Sequence, residues 1–202
     1  MTRSALVLIE FQKEWLDADG KINGFMKDRP QFEGAIEGGR RALSAARDAG
    51  MLIAHCGLRF QPGYPEFGGG HGHGLKAAIP RVGTFPIDGK GSQFGVGFEP
   101  RAGEFVVYGR TGASGFGGSN LDIWARSNRV TQLYLAGFAL HVCIESTFRA
   151  GHDLGYDMAI LSDACAAFTA DQRAHVLDHV VHHYGEHLTV QDFAARMIKS
   201  AA

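Results

Sequence analysis

Three side chains with complementary chemistry follow three separate apolar runs of the chain. Glu10 comes directly after ALVLI, Arg110 follows EFVVY, and Cys143 follows QLYLA and a short turn. A carboxylate can accept the proton of a thiol and return it to a leaving group, and a thiolate can attack a carbonyl carbon. A nearby guanidinium and a helix N-terminus both favour the thiolate, so we expect the pKa of Cys143 to be lowered. The three residue types together predict acyl transfer.

Each of these residues also has a purely structural interpretation. A cysteine near the end of a strand is often a small core residue. Glu10 could cap a loop, and Arg110 could pair with any surface carboxylate. The catalytic interpretation is favoured because the carboxyl ends of parallel strands meet at the edge of the sheet where ligands bind.

Alternating strand and helix patterns predict the elements that would position these side chains. Strands are predicted at residues 5–9, 51–55, 104–108, 132–136, 157–161 and, more briefly, 187–190. Helices are predicted at residues 30–49, 119–127, 142–154, 171–184 and 191–199. This alternation predicts a single α/β domain over residues 1–202, built on a doubly wound, mostly parallel six-stranded sheet with helices on both faces.

The segment of residues 57–103 shows little periodicity of either kind. It holds much of the glycine of the chain, including GGGHGHG. A loop of that length inside a compact domain is usually functional, so we expect a lid or a pocket wall there. Its aromatic residues, with those elsewhere, suggest a flat apolar wall to which Trp15, Tyr64 and Phe116 contribute. Arg110 and Arg59 suggest an anionic or carbonyl-rich ligand.

Composition narrows the class of protein. The chain has 202 residues, of which 45% are hydrophobic, and a formal net charge of −1. That balance is typical of a globular protein and predicts no binding to nucleic acid or to an acidic membrane. No segment approaches the roughly 18–20 apolar residues that span a bilayer, and the N-terminus lacks signal-peptide features. Three cysteines, scattered and odd in number, predict a cytoplasmic protein without a disulfide framework, and the lack of CxxC spacing argues against a cysteine zinc site.

Four segments carry motifs in an order that is typical of one known family. They are ALVLIEFQKEWLDADGKI, AHCGLRFQPGYPEF, VVYGRTGASGFGGSNLDIWAR and LYLAGFALHVCIESTFRAGHDLGYDMAILSDACAAF. Together they resemble the isochorismatase-like cysteine hydrolases, which include nicotinamidases, carbamoylsarcosine amidohydrolases and ureidoacrylate amidohydrolases. The resemblance covers nearly the whole chain and implies a doubly wound, Rossmann-like sheet.

The resemblance also implies specific roles for residues of this chain. It implies a catalytic triad of Glu10, Arg110 and Cys143, and a cis peptide bond in the turn of residues 137–141. The N–H groups of Leu140 and Cys143 would then form an oxyanion hole. Trp15, Phe116 and His141 fall where family members place the walls of the substrate pocket. Family members are also oligomers, so a homodimer or homotetramer is expected.

Two of the triad residues depart from the family pattern, which has Asp in place of Glu10 and Lys in place of Arg110. Glutamate places the charge one methylene farther from the backbone. Arginine keeps its proton and therefore donates poorly, although its planar fork anchors a carboxylate well. Because both changes preserve the sign of the charge, we expect an active enzyme with altered substrate positioning.

Nicotinamidases in the family carry a zinc ion, and the corresponding region of this chain differs. It reads HCGLRF and lacks the D-x-H pair of zinc ligands. His71 and His73 could chelate a metal, but a flexible glycine loop with two exposed histidines is the more ordinary interpretation. We therefore predict no catalytic metal and no cofactor.

The sequence predicts a hydrolase that cleaves an amide C–N bond of a small molecule through a Cys143 acyl-enzyme. In this prediction Glu10 is the general base and acid, and Arg110 is the cation. One alternative is a vinyl-ether hydrolase, although such members do without the cysteine. Another is a nucleotide-binding module using residues 112–118, which lack a G-K-[ST] ending. A third is a catalytically silent, oligomeric member of the family.

Overall fold

Six strands pair in parallel to form one sheet in the computed structural model, which describes residues 3–201. They are β1 (Arg3–Ile9), β2 (Leu52–Cys56), β3 (Phe105–Val106), β4 (Val130–Phe138), β5 (Asp157–Ala166) and β6 (Glu186–Leu188). Their order across the sheet is β3-β2-β1-β4-β5-β6. The chain thus starts in the middle, runs to one edge and returns to build the other half. The predicted doubly wound α/β fold is confirmed.

Helices cover the two faces of this sheet. They are α1 (Lys13–Leu16), α2 (Arg29–Asp48), α3 (Leu75–Val82), α4 (Leu121–Ser127), α5 (Glu145–Asp153), α6 (Ala170–His175), α7 (Val181–Tyr184) and α8 (Val190–Ala201). A π-helical turn, Leu140–Ile144, leads into α5, and a second one, Val176–Val180, joins α6 to α7. None of the helices in residues 3–201 is both long and apolar enough to cross a membrane.

Strand β1 is central because its apolar run supplies both layers of the core. Leu6 and Leu8 face the layer that contains α2 and α8, whereas Val7 and Ile9 face the layer that contains α4 and α5. Alternate side chains of a strand point to opposite faces, so an uninterrupted apolar run is suited to a strand covered on both sides.

A glycine allows the ends of β1 and β4 to approach closely. Gly137 pairs with Ile9 and has φ of 134°, and a Cβ at this position would collide with the Ile9 carbonyl. The two strand ends that precede the functional residues are therefore held side by side.

Several elements differ in extent from the sequence-based expectations. β3 has two residues rather than five, and the backbone N–H of Tyr108 donates instead to the side chain of Asn120. β5 continues to Ala166, five residues beyond its predicted end. The segment of residues 57–103 is not wholly irregular, because it contains α3 and short 3-10 turns at Pro65–Gly70 and Lys90–Ser92.

Candidate active site

The predicted triad residues lie at the carboxyl edge of the sheet, where the strand order reverses. Glu10 directly follows β1, Arg110 lies in the loop after β3, and Cys143 lies in the π-helical turn after β4. Because β1 and β4 are neighbours that leave the sheet toward opposite halves, their carboxyl ends border the crevice in which doubly wound proteins bind ligands.

The backbone of Glu10 adopts a left-handed conformation with φ of 59°. This region is uncommon for residues other than glycine and persists where surrounding contacts hold it. Here the N–H of Glu10 donates to the carbonyl of Cys56 at 3.0 Å, and the N–H of Gln12 donates to the carbonyl of Glu10 at 2.7 Å. The chain therefore leaves β1 in a defined direction.

Each oxygen of the Glu10 carboxylate accepts a hydrogen bond from a different side chain. Arg110 Nη2 donates to Oε1 at 2.7 Å, and Trp15 Nε1 donates to Oε2 at 2.9 Å. The carboxylate and its two donors are buried. The charge is thus held away from bulk water but remains compensated.

Several hydrogen bonds hold the Arg110 guanidinium in this site. Besides Glu10, its guanidinium donates to the carbonyls of Cys56, Gly112 and Ala113 at 3.4, 3.2 and 2.6 Å. Burial acts to lower the pKa of Arg110, but the neighbouring negative charge of Glu10 raises it above its ordinary value. Arg110 is therefore a permanent cation that anchors the carboxylate, and its donors are largely occupied.

Cys143 opens onto a cavity and lies beside the charged pair. The charges of the Glu10 carboxylate and the Arg110 guanidinium both act on its thiol. Burial and the charge of Glu10 raise the pKa of Cys143, and the opposing effect of Arg110 is smaller. The expectation of a lowered pKa is therefore wrong, because desolvation outweighs the effect of the guanidinium. The resting thiol holds its proton, and Glu10 is the adjacent acceptor.

The turn that carries Cys143 contains a cis peptide bond between Phe138 and Ala139, as expected from the resemblance. The N–H groups of Val142 and Ile144 both donate to the carbonyl of Ala139. Thr147 ties this turn to the loop after β3, since its hydroxyl donates to the carbonyl of Cys143 at 2.6 Å and accepts from the N–H of Gly115 at 2.7 Å. The oxyanion hole of Leu140 and Cys143 stays a prediction.

A cavity of about 240 Å³ opens in front of Glu10 and Cys143. Most of its lining is apolar, and much of it comes from the segment of residues 57–103, as predicted for a pocket wall. The other lining residues are Trp15, Ile22, Phe25, Leu58, Leu75, Ala78, Ile79, Arg81, Val82, Thr84, Phe85, Ala139, Val142 and Phe168.

Two buried polar side chains fix the wall of this cavity. Gln12 donates to the carbonyl of Leu58 and accepts from its N–H, both at 2.8 Å. Glu14 accepts from the N–H of Phe85 at 2.9 Å. Gln12 and Glu14, which closely follow Glu10 in sequence, thus anchor the segment of residues 57–103 that forms the cavity wall.

The residues predicted to contact substrate do not all belong to the cavity lining. Trp15 lines the cavity, but among the lining residues that the structure describes Tyr64, Phe116 and His141 do not occur. Tyr64 donates to the carbonyl of Thr84, and His141 packs edge-on against Phe168, so each contacts a residue of the cavity lining. Phe116 stacks on Tyr156 in the other layer of the core. Their contacts with substrate stay predictions.

Arg81 and Phe168 were not identified from the sequence as cavity residues. The spacing of Leu75, Ile79 and Val82 is that of an apolar helix face and could have indicated α3. Arg81 is exposed, and within residues 3–201 no hydrogen bond or ion pair joins it to another side chain. Arg59, considered earlier as a ligand contact, instead lies over the ring of Phe94.

In the described part of the chain no group of three or more His, Cys, Asp or Glu side chains is arranged to hold a metal ion. His71 and His73 are exposed. His55, in the region where nicotinamidases bind zinc, is buried and lies with Nε2 2.7 Å from Glu104 Oε2.

Comparison with known proteins gives consistent matches along the chain. The sequence profile of the isochorismatase domain matches residues 4–192. The ureidoacrylate amidohydrolase RutB of Variovorax paradoxus is 30% identical over 98% of this chain and 83% of its own length. A cysteine hydrolase from Pseudomonas syringae pv. phaseolicola superposes with a TM-score of 0.79 at 23% identity, covering 99% of this chain and 94% of that one. The N-carbamoylsarcosine amidase of Thermoplasma acidophilum superposes with a TM-score of 0.71 at 20% identity, covering 93% and 96%.

Proposed function

The chain belongs to the isochorismatase family, and on that basis we propose that it is a cysteine-dependent hydrolase of a small-molecule amide C–N bond. The observation that carries this proposal is the buried Glu10–Arg110 pair beside the Cys143 thiol, with Glu10 and Cys143 lining an apolar cavity. The naming of a similar protein as a ureidoacrylate amidohydrolase supports the choice of bond.

In the proposed first half-reaction, Cys143 Sγ attacks the carbonyl carbon of the amide while its proton passes to the Glu10 carboxylate. The resulting oxyanion accepts hydrogen bonds from the N–H groups of Leu140 and Cys143. Glu10 then returns the proton to the amide nitrogen, the C–N bond breaks, and ammonia or an amine leaves. The acyl group remains on Cys143 as a thioester.

In the second half-reaction, water attacks the thioester carbonyl and gives a proton to Glu10. The C–S bond breaks, the acid is released, and Glu10 returns the proton to the Cys143 thiol. Arg110 takes no part in proton transfer, because a guanidinium keeps its proton. It anchors and orients the Glu10 side chain through both halves.

The proposed substrate carries a carboxylate at the end remote from its amide. Arg81 is the cationic member of the cavity lining and has no acidic partner among the residues described, whereas Arg110 is occupied by Glu10 and carbonyl groups. An anionic group at the mouth of an otherwise apolar cavity would find its counter-charge there. The substrate of the similar RutB protein, ureidoacrylate, is by name a carboxylate.

We also propose that residues 1–202 form one domain that acts in the cytoplasm as a homo-oligomer. One sheet contains all six strands, and the family profile spans most of the chain. The cysteines are unpaired. Phe25, Leu75 and Val82 lie at the mouth of the cavity with 46%, 43% and 39% of their surface exposed, which is suited to coverage by a second copy.

The test is ammonia release from a panel of ureido acids and primary amides, each with and without a carboxylate. The wild type is compared with Cys143→Ala and with Cys165→Ala, a matched change at a buried cysteine outside the cavity. Release by the wild type and Cys165→Ala alone would support the proposal. Equal release by Cys143→Ala, or no release by any of the folded proteins, would overturn it.

A further inference from the structure

Trp15 has two contacts with the site that differ in kind. Its ring lines the cavity, and its indole N–H donates to Oε2 of Glu10 at 2.9 Å. A wall residue needs only the ring, which phenylalanine would also supply. The hydrogen bond uses the polar atom of the side chain and directs it away from a substrate and toward the carboxylate.

We propose that Trp15 is a positioning residue that, with Arg110, fixes the orientation and charge of the Glu10 carboxylate. Arg110 holds Oε1 and Trp15 holds Oε2, so the two oxygens cannot exchange places without breaking both bonds. Each carboxylate oxygen can accept more than one hydrogen bond. The carboxylate therefore retains accepting capacity for the thiol proton in a fixed plane.

The indole is itself held firmly, which a positioning role requires. Trp15 is 5% exposed. Its ring packs against Phe138 and Phe168 with centroid separations of 6.3 and 6.1 Å, and its carbonyl accepts from the side chain of Asn23 at 2.7 Å. Phe138 ends β4, so the orientation of the indole is tied to the strand that precedes Cys143.

The length of Glu10 explains why a second donor is useful in this chain. Glutamate has one more rotatable bond than aspartate and therefore loses more conformational freedom when its carboxylate is fixed. Two donors on separate oxygens restrict that freedom, and a single donor from Arg110 would leave rotation about the last bond. This role rests on the proposed function, in which Glu10 accepts the thiol proton.

Removal of the indole N–H has a directional consequence for proton transfer. The donor offsets part of the negative charge on Oε2, and that charge acts on the Cys143 thiol. Without the donor the thiol faces a more negative carboxylate and loses its proton to solvent less readily. The pH dependence of every process that requires the thiolate should then move to higher pH.

The experiment compares Trp15→Phe with Trp124→Phe, a matched change at a tryptophan that stacks on Phe105 outside the cavity. For Trp15→Phe we expect kcat to fall about tenfold, as for loss of a hydrogen bond to a charged group, with KM nearly unchanged. The acid limb of the kcat/KM profile should move to higher pH by about half a unit or more. Trp124→Phe should change neither. A changed KM with unaltered kcat and pH profile would overturn the proposal, since a pure wall role gives that result.

A second readout needs no substrate and separates this inference from the proposed function. The rate of Cys143 alkylation by iodoacetamide is followed against pH in the same variants. A midpoint that moves to higher pH in Trp15→Phe but not in Trp124→Phe supports the inference even if no amide is hydrolysed. An unmoved midpoint overturns it. If Trp15→Phe does not fold, a benzothienyl side chain at position 15, which replaces only the N–H by sulfur, gives the same comparison.

Discussion

The guanidinium of Arg110 and the carboxylate of Glu10 meet at 2.7 Å, where the two side chains are 1% and 2% exposed. They are separated by 100 positions in the sequence and arrive from different strand ends. Because both side chains are almost completely buried, bulk water solvates neither charge. Loss of one partner leaves the other as an uncompensated buried charge, which costs about 3–5 kcal/mol.

Arg110→Ala should therefore reduce both stability and turnover. We expect a loss of about 3–5 kcal/mol in the free energy of unfolding, measured by urea denaturation, and a fall in kcat/KM of about 100-fold or more. Arg110→Lys, which restores the residue usual in the family, should keep the fold and part of the activity. Arg126→Ala, which removes an exposed pair with Asp122, should cost less than about 1 kcal/mol. If kcat/KM of Arg110→Ala equals that of the wild type, the assignment of Arg110 to the triad is contradicted.

Cys143 should be the first cysteine to react with iodoacetamide. It borders the cavity and is 6% exposed, whereas Cys56 and Cys165 are fully buried. Because the pKa of Cys143 is raised, the thiolate fraction is small at neutral pH and grows as the solution becomes alkaline, so the rate of labelling should rise with pH. Mass-spectrometric mapping after brief treatment measures both effects. Equal labelling of the three cysteines would argue against an accessible nucleophile.

Arg81 should set the preference for the charge of the substrate. Arg81→Glu should raise KM for a carboxylate-bearing amide by about tenfold or more and leave the neutral analogue nearly unchanged, because only the first presents a charge to the cavity mouth. Lys76→Glu makes the same change of charge on α3 at a position outside the cavity lining. A similar rise in KM in both variants would indicate a long-range field rather than a contact.

The fold could be predicted where apolar residues run without interruption. ALVLI predicts β1 within two residues of its observed start. The prediction for β5 ends too early because Ser162 and Asp163 interrupt its apolar run. In the structure the hydroxyl of Ser162 donates to the carbonyl of Leu188, and Asp163 accepts from the N–H of Val190. Partners on later elements thus satisfy polar groups that look incompatible with a buried strand.

For the site, residue types at strand ends were sufficient to select three side chains that the structure brings together, but not to predict the cavity. α3 begins after Gly74 and ends at Gly83, and no side chain caps its start. Its apolar spacing covers only eight residues, and its main contacts are with the 3-10 turn Pro65–Gly70. Whether it borders the cavity therefore depends on how the segment of residues 57–103 packs, which local spacing does not show. The direction of the Cys143 pKa shift was missed for a related reason, since burial is a property of the folded chain.

Acid should destabilise the protein through His55 and Glu104. Burial lowers the pKa of His55. Burial opposes a lower pKa for Glu104, but hydrogen bonds from Arg47, Arg101 and His55 lower it to about 2. Both groups bind fewer protons in the folded state, so stability should fall as pH drops below about 6.5 for His55 and from about 4.5 toward 2 for Glu104.

Urea denaturation between pH 8 and pH 3 measures this loss of stability. His55→Gln should reduce the slope of stability against pH between about 6.5 and 5. His73→Gln, at an exposed position, should leave the slope as it is. An identical slope in wild type and His55→Gln would assign the acid sensitivity to other groups.

Gly137 should tolerate substitution far less well than a glycine on the surface. An alanine Cβ would collide with the Ile9 carbonyl at a positive φ, so we expect Gly137→Ala to cost at least about 3 kcal/mol. Gly34, in the middle of α2, has open space around it, and Gly34→Ala should stabilise the protein by about 0.5–1 kcal/mol. Comparable unfolding midpoints for the two variants would contradict this assignment.

The position of β1 between β2 and β4 has a consequence for folding during synthesis on the ribosome. β1 is synthesised before both of its neighbours, and one of them, β4, starts only at Val130. Until then an apolar strand with an unpaired edge is present on the nascent chain, and such edges associate with other chains. Yield in the cell should accordingly depend on how quickly translation proceeds from β1 to β4, and on whether chaperones shield the chain in the interval.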